Sequence, residues 1–234
     1  MIANWKATKT IKETVEWVKK ARPAIEEISQ AAVVICPPFT SLPFVSSLFK
    51  GTNVKVGAQD VSKFEKGAYT GEVTVEMLDG LVNYCIVGHS ERRRLFGETD
   101  DDVIKKVGLL LEYKIKPVLC VSDLAQLDSY IERGRVIIEG SEQIIFVYEP
   151  PGAISGGGAY RPEDPKEASA SIKKMAEKIG KKVFTIYGGS VNPENGLRFL
   201  AEENINGALV GQASTDPSTF LSLLNSVRFD NVVD

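Results

Sequence analysis

Short apolar runs recur along the whole chain: Met1–Trp5, Ala32–Cys36, Val54–Ala58, Tyr84–Val87, Pro117–Val121, Ile144–Tyr148, Val183–Tyr187 and Ala208–Val210. Each has the length of a strand. Most of the intervening segments have helical spacing. In the first of them Ile11, Val15, Val18, Ile25 and Ile28 step by three, four or seven, which predicts one apolar helix face, and Pro23 is expected to break or restart that helix. Asp164-Pro165, Asn192-Pro193 and Asp216-Pro217 each set a capping side chain before a proline, the signature of a helix start. Asp100, Asp101 and Asp102 open another helix, where negative charge suits the dipole, and Gly180 stops the helix before the seventh run.

Strands alternating with helices imply the α/β class and a parallel sheet covered on both faces. Eight such units fit a closed (β/α)8 barrel in one domain over residues 1–234. The alternative is an open doubly wound sheet. That fold favours a Gly-rich loop after its first strand, where this chain reads Asn4-Trp5-Lys6.

Composition narrows the function. The 234 residues are 43% apolar and 25% charged, with a net charge of −3, so neither a disordered chain nor a general affinity for nucleic acid or anionic membrane is expected. No apolar run is long enough to span a bilayer, and the N-terminus lacks the apolar stretch of a signal peptide, so a cytoplasmic protein is expected. Cys36, Cys85 and Cys120 each sit in an apolar run and read as reduced core thiols. A single histidine, His89, excludes sites built from two or three histidines. No phosphate loop or dinucleotide fingerprint occurs, so nothing in the motifs points to nucleotide or metal chemistry.

In such barrels chemistry sits at the C-terminal ends of the strands. There strand one ends in Asn4 and Lys6, strand four in Gly88-His89-Ser90-Glu91 and strand six in Glu149-Pro150-Pro151. Gly188-Gly189-Ser190 follows strand seven and Gly211-Gln212-Ala213-Ser214 strand eight. Each has a duller reading: His89 as a core imidazole, Glu149 as a solvated strand end, Lys6 as a surface group, Gly156-Gly157-Gly158 as a plain loop. Together they place a cation, an imidazole, a carboxylate and glycine-rich turns suited to an anion at one mouth. That favours an enzyme acting on a small phosphorylated molecule, with Glu149 as a partly buried base.

The segments ANWK (3–6), GAQD (57–60), GAYTGEVTVEML (67–78), IVGHSERRRLFGE (86–98), PVLC (117–120), YEPPGAI (148–154), YGGSVNPEN (187–195) and GALVGQAS (207–214) closely resemble the triosephosphate isomerase family. They are collinear and span nearly the whole chain. The resemblance implies a TIM barrel that interconverts dihydroxyacetone phosphate and D-glyceraldehyde 3-phosphate, in glycolysis and gluconeogenesis, without cofactor or metal. It implies Glu149 as the base and His89 as a neutral electrophile at a helix start, this family being itself the stock example of such tuning. Lys6 would supply fixed positive charge, Asn4 would position the substrate oxygen, and Glu91 would be an acid beside the site. Ser155, Ser190, Gly211 and Gln212 would bind phosphate, and residues 150–160 would close as a lid. A homodimer is implied, built on the loop Phe64–Glu72, with Thr70 near the partner's site and Cys120 just outside the substrate contacts.

The chain departs from the family pattern in places. Ala7-Thr8 replaces Met-Asn, the lid lacks its hinge tryptophan and gains glycines, and Gln212 replaces a glycine whose φ > 0 freedom is thereby lost. Strand one begins almost at Met1, and the region between strands 5 and 6 is shortened. Two alternatives stay open on the residues alone: a phosphate-binding or oligomer-forming barrel without catalysis, and another phosphosugar isomerase or epimerase.

Overall fold

The computed structural model describes residues 1–29, 31–153 and 161–226. Eight strands form one parallel sheet: β1 (Ile2–Asn4), β2 (Val34–Cys36), β3 (Lys55–Ala58), β4 (Tyr84–Val87), β5 (Lys116–Val121), β6 (Ile145–Tyr148), β7 (Phe184–Tyr187) and β8 (Leu209–Val210). Their order is β7-β6-β5-β4-β3-β2-β1-β8. The remaining seam, β7 to β8, is held by the bridge Tyr187–Ala208, with Tyr187 N donating to Gly207 O (3.0 Å) and Asn206 N to Thr185 O (2.9 Å). The sheet therefore curls into a barrel whose seam is its least-paired joint.

Alternation along the strands builds two apolar layers. Ile2, Val34, Cys36, Ile86, Val118, Cys120, Val147, Ile186 and Leu209 fill the interior. Their neighbours Ala3, Ile35, Cys85, Leu119, Phe146, Tyr187 and Val210 face outward into the helical shell. On β3 the inward place is Gly57, where a Cβ would lie 2.7 Å from Cys36 Sγ. All three cysteines are buried and free, as expected for core thiols.

The shell contains α1 (Ile11–Glu26), α2 (Leu42–Phe49), α3 (Val75–Leu78), α4 (Ser90–Phe96), α5 (Asp100–Glu112), α6 (Leu124–Arg133), α7 (Arg135–Glu139), α8 (Pro165–Ile179), α9 (Gly196–Leu200), α10 (Gln212–Thr215) and α11 (Pro217–Ser226). Residues 122–144, between β5 and β6, carry the two short helices α6 and α7. Among the described residues, no helix is long and apolar enough to cross a membrane.

Three sequence expectations about helices are corrected. Pro23 neither breaks nor restarts α1: it lies on the exposed face of the helix, as does Lys19, the residue whose carbonyl it leaves without an N–H partner. The buried face of α1 is Thr14, Trp17, Val18, Ala21 and Ile25, whereas Ile11 is 57% exposed. Asn192-Pro193 opens a turn rather than a helix: Asn192 Oδ1 accepts from Glu194 N (3.0 Å) and Asn195 N (3.1 Å), and α9 begins only at Gly196. The starts at Asp164 and Asp216 and the left-handed stop at Gly180 are as expected, and Thr99 caps α5 ahead of its three aspartates.

Candidate active site

The strand ends at the C-terminal rim surround a cleft of about 30 Å³ lined by Asn4, Lys6, His89, Glu149, Gly188, Gly189, Ser190, Val191, Leu209, Gly211 and Gln212. Five strands that are separate in sequence thus supply one small polar site.

The β1 end is anchored by Trp5, which is fully buried and packed against Trp17 of α1 with ring centroids 4.6 Å apart and planes tilted by 58°. Trp17 Nε1 in turn donates to Ser214 O at 3.1 Å, tying α1 to α10. Immediately after Trp5 the backbone of Lys6 turns left-handed, with φ 50. For a residue with a side chain that conformation costs about 1 kcal/mol or more. Three contacts hold it. Lys6 N donates to Asn4 Oδ1 (3.1 Å), Gln59 Nε2 donates to Lys6 O (2.9 Å), and Lys6 Nζ donates to Glu91 Oε1 (2.5 Å). The Gln59 amide also donates to Cys36 O at 2.9 Å, so one side chain fixes the ends of β1 and β2 together. Gln59 lies within the GAQD segment, but no local pattern marks it as a clamp.

His89 caps α4. Its Nδ1 accepts the N–H of Glu91 at 3.2 Å, and its Nε2 meets Glu149 Oε1 at 3.1 Å. An Nδ1 that accepts a backbone proton carries none itself, so the ring is the neutral tautomer protonated on Nε2. Glu149 is 1% exposed, and its second oxygen accepts the N–H of Ser90 at 3.1 Å. Both carboxylate oxygens are thus held by donors at the start of α4. Glu149 is far more buried than the sequence suggests, because it continues the inward-facing series of β6.

The glycines have packing reasons. A Cβ on Gly188 would lie 2.7 Å from Glu149 Cγ, one on Gly189 2.1 Å from the Tyr187 hydroxyl, and one on Gly211 3.3 Å from Lys6 Cε. They leave room for Glu149, Tyr187 and Lys6. The positive-φ freedom expected after β8 is not needed, since Gly211 has φ −85 and Gln212 begins α10.

Ser190 lines the cleft, but both its donors are engaged: N and Oγ go to Ala153 O at 2.9 and 2.7 Å. Glu91 lies between Lys6 Nζ and His89 Nδ1, at 2.5 and 3.8 Å. Cys120 is buried behind Glu149, and burial followed by the Glu149 carboxylate pushes its thiol well up. Thr70 is exposed on a loop apart from the residues lining the cleft. Ser155 and most of the segment 150–160 lie outside the described residues.

A family model described as triosephosphate isomerase matches residues 1–227. The chain is 38% identical over 240 residues to the triosephosphate isomerase of Aquifex aeolicus, covering 96% of this chain and 97% of that protein. It is 38% identical over 244 residues to that of Solibacter usitatus (96% and 98%) and 38% over 242 to that of Dictyoglomus turgidum (96% and 97%). With match and fold agreeing across the barrel, the chain belongs to the triosephosphate isomerase family.

Proposed function

We infer that the protein is an isomerase interconverting dihydroxyacetone phosphate and D-glyceraldehyde 3-phosphate. The observation that carries this reading is the convergence of Lys6, His89 and Glu149 on one small cleft, with a neutral imidazole whose Nε2 proton points at a buried carboxylate. The reaction is redox-neutral and calls only for proton transfer. Glu149 takes the proton from the carbon beside the carbonyl. His89 Nε2–H donates to the carbonyl oxygen, where negative charge develops in the enediolate, and Lys6 adds a fixed positive charge. His89 then moves protons between the two oxygens, and Glu149 returns its proton to the neighbouring carbon.

The contacts also define what substrate must displace. The carbonyl oxygen replaces Glu149 Oε1 as the acceptor of His89 Nε2–H, which frees the carboxylate to face carbon. A phosphate oxygen replaces the Ala153 carbonyl at Ser190, so residues near 153 must shift on binding. The N–H groups of Gly211 and Gln212 are the further phosphate donors. Asn4 orients the substrate oxygen, and Glu91 holds Lys6 until the substrate's charge arrives. We assign the second-subunit contact to the loop around Phe64–Glu72. There Phe64 and Tyr69 stack at 4.2 Å while remaining 37% and 44% exposed, an apolar pair suited to burial in a homodimer.

A coupled assay on purified protein tests the reading. Cofactor-free turnover of both triose phosphates is expected, with larger sugar phosphates rejected. Binding of phosphoglycolate without turnover would instead establish a non-catalytic phosphate-binding barrel.

A further inference from the structure

The hydroxyl of Tyr130, a fully buried residue of α6, lies where two sides of the site meet. It accepts a hydrogen bond from Arg93 Nη1 of α4 at 2.5 Å. Its own proton points to the Cys120 carbonyl on β5, 3.5 Å away. A Cβ on Gly88, whose φ is +69, would come within 3.0 Å of the same oxygen. One hydroxyl therefore touches the backbone just before His89, the strand behind Glu149 and the helix that His89 caps.

Arg93 adds a charge to this junction. Its neighbour Arg92 pairs with Asp60 (2.9 Å) and Glu98 (3.2 Å). Among the described residues Arg93 has no carboxylate within salt-bridge distance, and its Nη2 is buried with no hydrogen-bond partner. A guanidinium in that state is costly, and a neutral side chain could prop Tyr130 equally well. Through the Tyr130 hydroxyl the guanidinium abuts the Cys120 carbonyl on β5, the strand beside Glu149. Burial and then the Glu149 carboxylate push the Cys120 thiol up, and the Arg93 guanidinium pulls it back. Among the described residues the groups facing Glu149 directly are neutral: His89 Nε2–H and Ser90 N–H from the start of α4, Cys120 from β5 and Gly188 after β7. Lys6 lines the same cleft with its Nζ bound to Glu91.

We propose that Arg93 and Tyr130 form a positioning pair for the base, Tyr130 locking the strand ends that carry His89 and Cys120, and Arg93 supplying the cationic field behind Glu149. The inference rests on the isomerase reading above. Neither residue touches substrate, so kcat responds rather than KM.

The test is the pH profile of kcat/KM for wild type, Arg93→Gln, Arg93→Lys and Tyr130→Phe. Removing a cation near a carboxylate disfavours its ionised form. Arg93→Gln should therefore move the acidic limb to higher pH, with kcat about tenfold lower and KM within about twofold of wild type. Arg93→Lys keeps the charge and should restore the limb. Tyr130→Phe should lower kcat several-fold with its limb near wild type. A folded Arg93→Gln enzyme with the wild-type limb overturns the proposal, as does an equal displacement in Arg93→Lys. If Arg93→Gln does not fold, Tyr130→Phe decides, and a wild-type kcat there overturns it. Absence of turnover in the wild type overturns both the isomerase reading and the proposal; wild-type turnover that the variants match overturns the proposal alone.

Discussion

The two ends of the barrel differ in a way that volume alone would misread. At the foot, among the N-terminal ends of the strands, lies a cavity of about 450 Å³ walled by Ile2, Val34, Ile145, Phe184, Ile186 and Leu224. At the rim, the cleft holding Lys6, His89 and Glu149 has about 30 Å³. The foot is a wide gap between apolar walls. The rim is narrow because side chains from five strands converge on it and already hold one another. Empty space records where packing stops, whereas function records where charges, donors and acceptors meet. In (β/α)8 barrels the rim is where chemistry gathers and the foot serves stability. Substitutions at the rim should therefore change rate, and substitutions at the foot should change stability.

The largest expected effect is at the rim. Glu149→Gln keeps the shape but removes the carboxylate proposed as the base, so kcat should fall about 10³-fold while the melting temperature holds. A variant with wild-type kcat would remove Glu149 from the reaction. Lys6→Met should cost about 10²-fold in kcat/KM, read by steady-state kinetics, because a fixed positive charge beside the developing oxyanion is lost. At the foot, Ile186→Ala should destabilise the fold by about 2 kcal/mol in denaturant titration, with kcat per folded molecule unchanged. That figure is at the low end for such a deletion because Ile186 already borders open volume.

The smallest effect lies between the two ends, on α11. Asp216 caps this helix by accepting from Thr219 N at 2.8 Å, and that backbone N–H holds its carboxyl below the usual 3.8. Asp216→Ala should cost about 1 kcal/mol in urea titration at neutral pH. The sign with pH follows from the lowered value in the folded state. The contribution is complete above 3.8 and is lost as pH falls through and below it, so wild type and variant should converge in acid.

Much of this was legible in the sequence, for identifiable reasons. Every apolar run marks a strand to within two residues at each end, because a strand covered on both faces has few places for polar groups. The rim residues were legible because each lies at the end of a run or just after it. The face of α1 was not: Trp17 and Ala21 are buried by their place against Trp5 and the barrel, which spacing of Ile and Val does not reveal. Gln59 was missed because its task is to donate to two carbonyls distant in the chain, at Lys6 and Cys36. The glycines at 188, 189 and 211 were read as anion cradles, whereas the contacts show that they also make room for Glu149, Tyr187 and Lys6. Such needs appear only once strands are side by side.

The central claim is that a neutral imidazole shares one small cleft with a buried carboxylate and the substrate's oxygen. Because the chain has one histidine, nitrogen-15 NMR of the labelled protein gives a single imidazole spin system, free of overlap. At neutral pH it should show a proton on Nε2 and none on Nδ1, and phosphoglycolate should shift the Nε2 resonance as the Nε2–H hydrogen bond passes from Glu149 to the ligand. A spectrum with the proton on Nδ1, or one that saturating phosphoglycolate leaves unmoved, would contradict the account.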